Sequence, residues 1–545
     1  MKRAIFLLLI AINSAWAIET PFNSGVNVTG WFQSQSAGQI QFTKYTKQDL
    51  VNIKYMGCDV VRLPINLHAM TSGSPGYTID PLLFTLLDHV VDWAEELDLY
   101  LILDNHSFDP DVATPANIGD ILVPVWTQMA QHYKNRSNLV CYEILNEPHG
   151  ISDQDWNNIQ QTVIDAIRAV DSVHSIIVGP ANFNSYKNLD AMPSYTDDNL
   201  IYTFHFYDPF IFTHQGTTWT DPSMESVVNI PFPHSYSKMP GMPSQYSGTW
   251  IEDAYNNYSS DGQAWEIYES MQIIADFKDY RHVPVFCGEF GVYKQNAIDA
   301  HRNIWYFLVR MFLDYYGVSW TTWEYKGDFG LFEKDTYELF NSDLNVPLVK
   351  LLGFYAPEQW DYYKLPDMSG FDIYTDYVGT NIIESSGLNL DKLDYYSENS
   401  PADANFCIHF TGVDQYGKVS LRFVPVKDLS YLKSGNYKID FYVRSNDPST
   451  EFDIRFVDTK TGWYNDHPWR MRYKIDNSIA VWDGNWNHIS IPLKNFTEHG
   501  SYDDGWYDPV GAFSWYNIEL FEIVAEYGDL IGTDLYFDNI SIVAP

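Results

Sequence analysis

Between Ser24 and Trp323 the sequence repeats one arrangement eight times: a short run rich in apolar residues, a polar break, then a helical or loop stretch. The runs span residues 24–28, 59–65, 100–103, 139–145, 175–178, 200–204, 283–287 and 318–323. Short, nearly continuous apolar runs bounded by breaks read as parallel strands buried on both faces. Helical periodicity fills 45–56, 81–97, 118–133, 153–170, 264–280 and 297–316. Eight such rounds predict an α/β fold, an eight-stranded (β/α)8 TIM barrel that ends near Gly353.

A parallel barrel places its chemistry at the carboxyl ends of its strands. Two run ends carry a carboxylate. YEILNEPHG, from Tyr142, delivers Asn146 and Glu147 side by side, and Pro148 then stops the strand because it has no N–H and a fixed φ. HVPVFCGEFGVY, from His282, delivers Glu289. The two glutamates lie far apart in the chain, and a barrel mouth brings such strand tips together. At about 5–5.5 Å apart they are the pair that acid/base and nucleophilic attack on a glycosidic bond with retention needs.

At 545 residues the chain exceeds one ordinary domain. From Phe371 the helical period disappears. Short alternating segments follow at 419–423, 437–443, 452–457, 469–474, 488–492, 517–524 and 534–543, separated by turn signals such as Lys433-Ser434-Gly435-Asn436. They predict an all-β jelly-roll sandwich. The expected organisation is a leader at 1–17, the barrel at 18–353, a polar-aromatic linker at 354–370 and the sandwich at 371–545. In the leader, Lys2 and Arg3 precede an apolar run at 4–12 and the small-x-small site Ala15-Trp16-Ala17. That pattern predicts export, to the medium or the cell surface, after cleavage. No later run resembles a membrane span.

A net charge of −38 argues against nucleic acid and anionic membranes as partners. The chain is 45% apolar, which excludes global disorder. Aromatics reach 17%, with 18 Trp and 40 Tyr, which suits either large cores or stacking surfaces for sugar rings. Cys58, Cys141, Cys287 and Cys407 match no zinc spacing and read as buried free thiols. Asp104, Asn105 and His106 have metal-ligand types, but no second cluster accompanies them, so no catalytic metal is expected.

These motifs, in this order over roughly 21–353, resemble glycoside hydrolase family 5, retaining β-glycanases on a TIM barrel. The resemblance implies that Glu147 is the acid/base and Glu289 the nucleophile. It implies that Arg62, in VVRLPI, supports the nucleophile. It places His106 near the cleavage subsite, His205 and Tyr207, of HFY, beside the carboxylates, and Trp323 under a sugar ring, with Trp320 the alternative. Asn146 is expected to bind a sugar hydroxyl. Many relatives carry two histidines after strand three, where this chain has His106 and Ser107. Trp219, Tyr246 and Trp250, in the long 208–263 insertion, are candidates for lining a cleft or for packing the loop.

The second region resembles β-jelly-roll carbohydrate-binding modules, family 11 and its relatives, most clearly in DLYFDNISIV from Asp534. Candidate contacts by residue type are Tyr442, Arg444, Trp463, Tyr464, Trp469, Trp482 and Trp515. A structural calcium, held by Asp372 and Asp538, is an expectation for such a fold. The resemblance implies no cofactor for catalysis. The expected function is a monomeric endo-β-1,4-glucanase, a cellulase acting on cellulose or mixed-linkage β-glucan. The alternatives are a mannanase or xyloglucanase on the same site, or a non-catalytic glycan-binding surface protein.

Overall fold

The structure is a computed structural model that describes residues 19–545, apart from Phe108, 388–391 and 461–465. The leader reading therefore falls outside the described residues. The chain forms two compact units. One comprises residues up to Gly30 with Leu50–Asp80 and Leu87–Glu358, and the other Trp31–Asp49, Pro81–Leu86 and Gln359–Pro545.

The first unit contains the expected eight-stranded parallel barrel. Its strands are β1 (Ser24–Asn27), β2 (Val60–Ile65), β3 (Tyr100–Asn105), β4 (Val140–Glu143), β5 (Ser175–Val178), β6 (Leu200–Phe206), β7 (Val285–Phe290) and β8 (Ser319–Thr322), each pairing with the next and β1 closing on β8. Helices occupy Lys47–Tyr55, Pro81–Glu96, Gly119–Tyr133, Asp153–Arg168, Ala264–Arg281 and Asp299–Tyr315, within a few residues of the predicted stretches. A further helix, Trp250–Asp261, lies inside the insertion that the sequence reading left without structure.

Strand pleating sets the vertical order of the barrel interior. Val60, Ile102, Cys141, Ile177, Ile201 and Phe286, from six successive strands, pack into one apolar cluster. Only the inside of a closed barrel lets six strands meet in this way. Two residues further along each strand the same face returns. There stand Arg62 on β2, Asp104 on β3 and Glu143 on β4, an ionic layer directly above the apolar one.

Pairing between β6 and β7 slips by one residue, from Phe204↔Cys287 to His205↔Glu289. The slip brings the histidine level with the glutamate, as a bulge re-aims a side chain. It depends on Gly288. A Cβ there would lie 2.9 Å from Thr203 Oγ1 and 3.1 Å from His205 Nε2.

In the second unit two large antiparallel sheets form, besides a two-stranded one of Ser501–Tyr502 and Trp506–Tyr507. One is ordered Ile382–Glu384, Lys418–Lys427, Ile518–Val524, Phe452–Asp458, Arg470–Ile475 and Thr497–Glu498. The other is ordered Leu393–Ser397, Cys407–Thr411, Asp534–Val543, Lys438–Ser445 and Asn487–Pro492, with Phe371–Tyr374 also paired to Asp534–Val543. Phe452 of the first meets Phe537 of the second edge to face at 5.4 Å, so their apolar faces share a core. All four cysteines are free and buried. No described helix is long and apolar enough to cross a membrane.

Candidate active site

Arg62 organises the barrel mouth. Fully buried, it donates from Nε to Glu143 Oε2 (2.7 Å) and from Nη1 to Glu289 Oε1 (2.8 Å) and Asn27 Oδ1 (3.0 Å). Nη2 reaches Glu143 Oε1 and Asn146 Oδ1, each at 2.9 Å, and Asp104 Oδ2 at 3.0 Å. Burial works against its charge, but Asp104, Glu143 and Glu289 outweigh that and hold its pKa well above the usual arginine value. A planar fork with five donors is what lets one side chain bind so many acceptors.

Glu289 takes two donors, Arg62 on Oε1 and the Tyr207 hydroxyl on Oε2 at 2.9 Å. Burial drives the Tyr207 pKa far above its ordinary value, so it stays a phenol and a donor. His205 Nδ1 stands 2.6 Å from Glu147 Oε1 and 3.6 Å from Glu289 Oε2. Polar atoms of Glu147, His205 and Glu289 all lie within 4.8 Å of one another. The two glutamates therefore approach each other across the mouth, with His205 beside both.

Glu147 sits at φ +46°, a left-handed conformation that costs a residue with a Cβ about 1–2 kcal/mol. Its carbonyl is met by His149 Nδ1 at 3.0 Å, and the His149 N–H donates to Thr114 Oγ1. His149 stacks in turn on Phe183 at 4.3 Å. Burial pushes the Glu147 carboxyl up to about 7 and the His205 imidazole down to about 4. Near neutrality the ring carries no charge, so their contact is a hydrogen bond and not an ion pair.

The remaining predicted residues also reach the mouth. His106 Nδ1 bonds Asp104 Oδ2 at 2.7 Å, and its ring stacks on Trp323 at 5.5 Å and 15°. Burial lowers His106 to about 4 and raises Asp104 to about 7 against the pull of Arg62. Trp323, just past β8, is partly exposed, whereas Trp320 is buried with its N–H on Asp314 Oδ1. Trp323 is thus the tryptophan at the mouth. Ser107, where many relatives have a second histidine, accepts the backbone N–H of His68 at 2.9 Å, and Asn105 Nδ2 lies 3.2 Å from His68 Nε2.

Sequence reasoning missed Asn27, Glu143 and His68, and it took Asp104 for part of a metal-like triplet. A signal for Glu143 exists: it lies two residues after Cys141, hence on the same inward face. Of the insertion aromatics, Tyr246 is buried and packs the loop. Trp219 stands 5.2 Å from Tyr293, past β7, and 6.4 Å from Phe329, which itself touches Tyr207. It rises 49% exposed at the edge of the mouth. Trp250 lies elsewhere, on the flank of the barrel.

Three comparisons with known proteins bear on the two regions of the chain. Residues 19–328, more than half of it, match the profile of the family described as Cellulase (glycosyl hydrolase family 5). The chain belongs to glycosyl hydrolase family 5. Catalysis in this family needs no cofactor. Residues 404–544 match Carbohydrate binding domain 30, where the sequence reading had named family 11 and its relatives. Among curated relatives, Endoglucanase 3 of Fibrobacter succinogenes is 29% identical over 335 residues, 57% of this chain and 50% of its own length. The match to that relative thus spans half of it. Endoglucanase C of Acetivibrio thermocellus is 27% identical over 345 residues, 59% of this chain and 94% of the relative. A solved hyperthermophilic endo-beta-1,4-glucanase in complex with substrate is 26% identical, with a TM-score of 0.52 over 61% of this chain and 97% of that one.

In the carbohydrate-binding region, Trp469, Trp482 and Trp515 are buried, so they are core residues and not an open platform. Trp463 and Tyr464 fall outside the described residues. Tyr442 packs beside His488, and Arg444 lies over the Tyr536 and Trp486 rings at 4.1 and 4.9 Å. Asp538, read as a calcium ligand, is buried and already accepts the backbone N–H groups of Ala402, Asp403 and Asn539. Asp372 accepts the Ser541 hydroxyl. The three backbone donors make Asp538 a carboxylate that ties residues 402–403 to its strand.

Proposed function

We propose that this protein is an exported, retaining endo-β-1,4-glucanase that cuts internal bonds of cellulose or mixed-linkage β-glucan. The observation that carries the reading is the facing of Glu147 and Glu289 within 4.8 Å, with two hydrogen-bond donors on Glu289 and a burial-raised carboxyl at Glu147. The two curated relatives described above bear endoglucanase names, and the leader pattern at 1–17 supports export.

Glu289 attacks the anomeric carbon as its bond to the leaving oxygen breaks. Glu147, protonated, gives that oxygen its proton, and a glycosyl ester on Glu289 results. Esterification removes a negative charge from the mouth, which favours ionisation of Glu147. Glu147 then takes a proton from water, and the water oxygen displaces Glu289 from the sugar. His205, neutral with its proton on Nδ1, donates to Glu147 Oε1 in both steps, and the other oxygen of Glu147 carries the proton that leaves and returns. Arg62 and Tyr207 hold Glu289 in line. Because Arg62 occupies Asn146 Oδ1, the Asn146 amide offers N–H donors to a sugar hydroxyl. Trp323, braced by His106, presents a flat face to the ring.

The test is reducing-sugar release from carboxymethyl cellulose, barley β-glucan, xyloglucan, glucomannan and mannan, with wild type and Glu289→Ala in parallel. Release from the first two, abolished in the variant, is expected. Release from mannan or xyloglucan alone would overturn the substrate, and silence from a folded protein would overturn the enzyme reading.

A further inference from the structure

Strand β6 has two sides, and the chemistry above uses one. His205 and Tyr207 face the mouth. Phe206, between them, faces the other way by strand alternation, against Tyr186 (5.5 Å) and Trp305 (6.1 Å). Behind Phe206 opens a cavity of about 500 Å³, between the end of β6, the insertion helix Trp250–Asp261 and the helix Ala264–Arg281. Neither Glu147 nor Glu289 borders it. Its volume falls within the range of about 300–1,000 Å³ typical of small-molecule sites.

The walls define a ligand class. Phe206, Tyr258 and Ile267 make a buried apolar floor. Phe210 and Trp250, edge to face at 5.8 Å and each 38% exposed, present open ring surface at the entrance. Asp208, Asp261, Glu266 and Glu269 stand around it against one cation, Lys187. Such a ring of carboxylates repels anions and accepts hydrogen bonds from hydroxyl groups, and ionised acceptors make the stronger bonds. The acidity does not call for a cation with equal force. Asp208 is already met by Lys187 Nζ (2.9 Å) and the Tyr186 hydroxyl (2.8 Å), and Glu266 takes the Trp265 N–H. Flat apolar faces beside hydroxyl acceptors fit a neutral pyranose, which has a C–H face and an equatorial rim of hydroxyls.

We propose that this cavity is a second glycan-binding site, which takes a neutral pyranoside segment of the polymer on the barrel flank. The choice of a β-glucan segment rests on the glucanase reading, while the site itself rests on the cavity and its walls. The insertion at 208–263 supplies Trp250, Ala254, Tyr258 and Asp261 to it, so this loop gives the barrel a hold on the polymer separate from the mouth.

Hydrogen exchange on the full chain tests this, in a Glu289→Gln background so that the probe, cellohexaose, survives. Saturating cellohexaose should slow amide exchange at least about threefold in peptides from Trp250–Asp261 and Ala264–Arg281, besides those at the mouth. Ala254→Trp, which fills the cavity, and Trp250→Ala, which strips its entrance, should each remove the flank protection and keep that of the strands carrying Glu147 and His205. Two variants guard against one of them misfolding. Protection confined to the mouth and the carbohydrate-binding region would overturn the cavity site alone. Flank protection by spermine and not by cellohexaose would overturn it in favour of a cation site. No protection anywhere, with no sugar release by wild type, would bring down the glucanase reading together with the choice of ligand.

Discussion

The barrel and the sandwich each bury an arginine among carboxylates, with opposite results. In the sandwich, three cations meet three carboxylates: Glu522 pairs with both Arg455 and Lys418, Arg455 also reaches Glu526, and Arg472 pairs with Asp453. Burial alone would raise Glu522, but Arg455 and Lys418 outweigh it and hold the carboxyl at about 2. In the barrel, Arg62 alone serves Asp104, Glu143 and Glu289, with Glu147 close by and both neighbouring histidines held neutral by burial. Burial raises the carboxyls of this dry site, and one guanidinium shared among them does not offset it. Asp104 and Glu147 rise to about 7, and Glu143 rises too. A matched network is a clamp, whereas a mismatched one stores a proton that chemistry can use.

The largest effect should come from breaking the mismatch at its reactive end. Glu147→Ala should stay folded and lose about 10²–10⁴ in kcat on a glycoside with a poor leaving group, and far less on one with a good leaving group. Equal losses on both substrates would remove Glu147 from the acid role.

Next comes the clamp. Arg455→Met leaves buried Glu522 with one of its two cations and half-buried Glu526 without its arginine, and should destabilise the sandwich by about 3–5 kcal/mol, read by denaturant titration. The two regions should also respond oppositely to pH. The native pKa of Glu522 is depressed, so its contribution is full above the unfolded value, near 4.5, and is lost as pH falls towards 2. That of Glu147 is raised, so its contribution is present below about 4.5 and is lost as pH rises through about 7. Wild-type sandwich should melt at lower temperature as pH drops from 5 to 2, and Arg455→Met should flatten that dependence. An unchanged slope would show that Glu522 is not the clamp. With Glu147 in the proposed acid role, hydrolysis should decline above about pH 7.

The smallest effect concerns the rim. Trp219→Ala should raise KM on soluble β-glucan a few-fold, about 0.5–1.5 kcal/mol of lost ring contact, with kcat nearly unchanged. A fall in kcat instead would mean that Trp219 acts through Phe329 and Tyr207 on the nucleophile.

The same contrast explains what could be read from the sequence. Strand tips were legible because apolar runs ending in Glu147, Glu289, His106 or Trp323 mark where a buried strand stops. Glu143 was not, because it lies inside the run 139–145 and a single charge there does not break an apolar pattern. Its importance comes from Arg62, on another strand, and from pleating that puts both above the same apolar cluster. The helix Trp250–Asp261 was hidden by the Pro-, Ser- and Tyr-rich insertion that leads into it. In the sandwich, Trp469 opens an alternating segment while Trp482 and Trp515 lie in the connections between segments, and neither setting says in the sequence which side chains turn into the core.

The most direct test of the mouth is a mechanism-based trap. A 2-deoxy-2-fluoro cellobioside with a dinitrophenolate leaving group should release one equivalent of dinitrophenolate and leave the sugar esterified to the protein. Peptide mapping by mass spectrometry should place the added mass on Glu289, with labelling slowed in Arg62→Lys. A label on Glu147 or on any other side chain, or turnover with no covalent species while the protein hydrolyses β-glucan, would contradict the account.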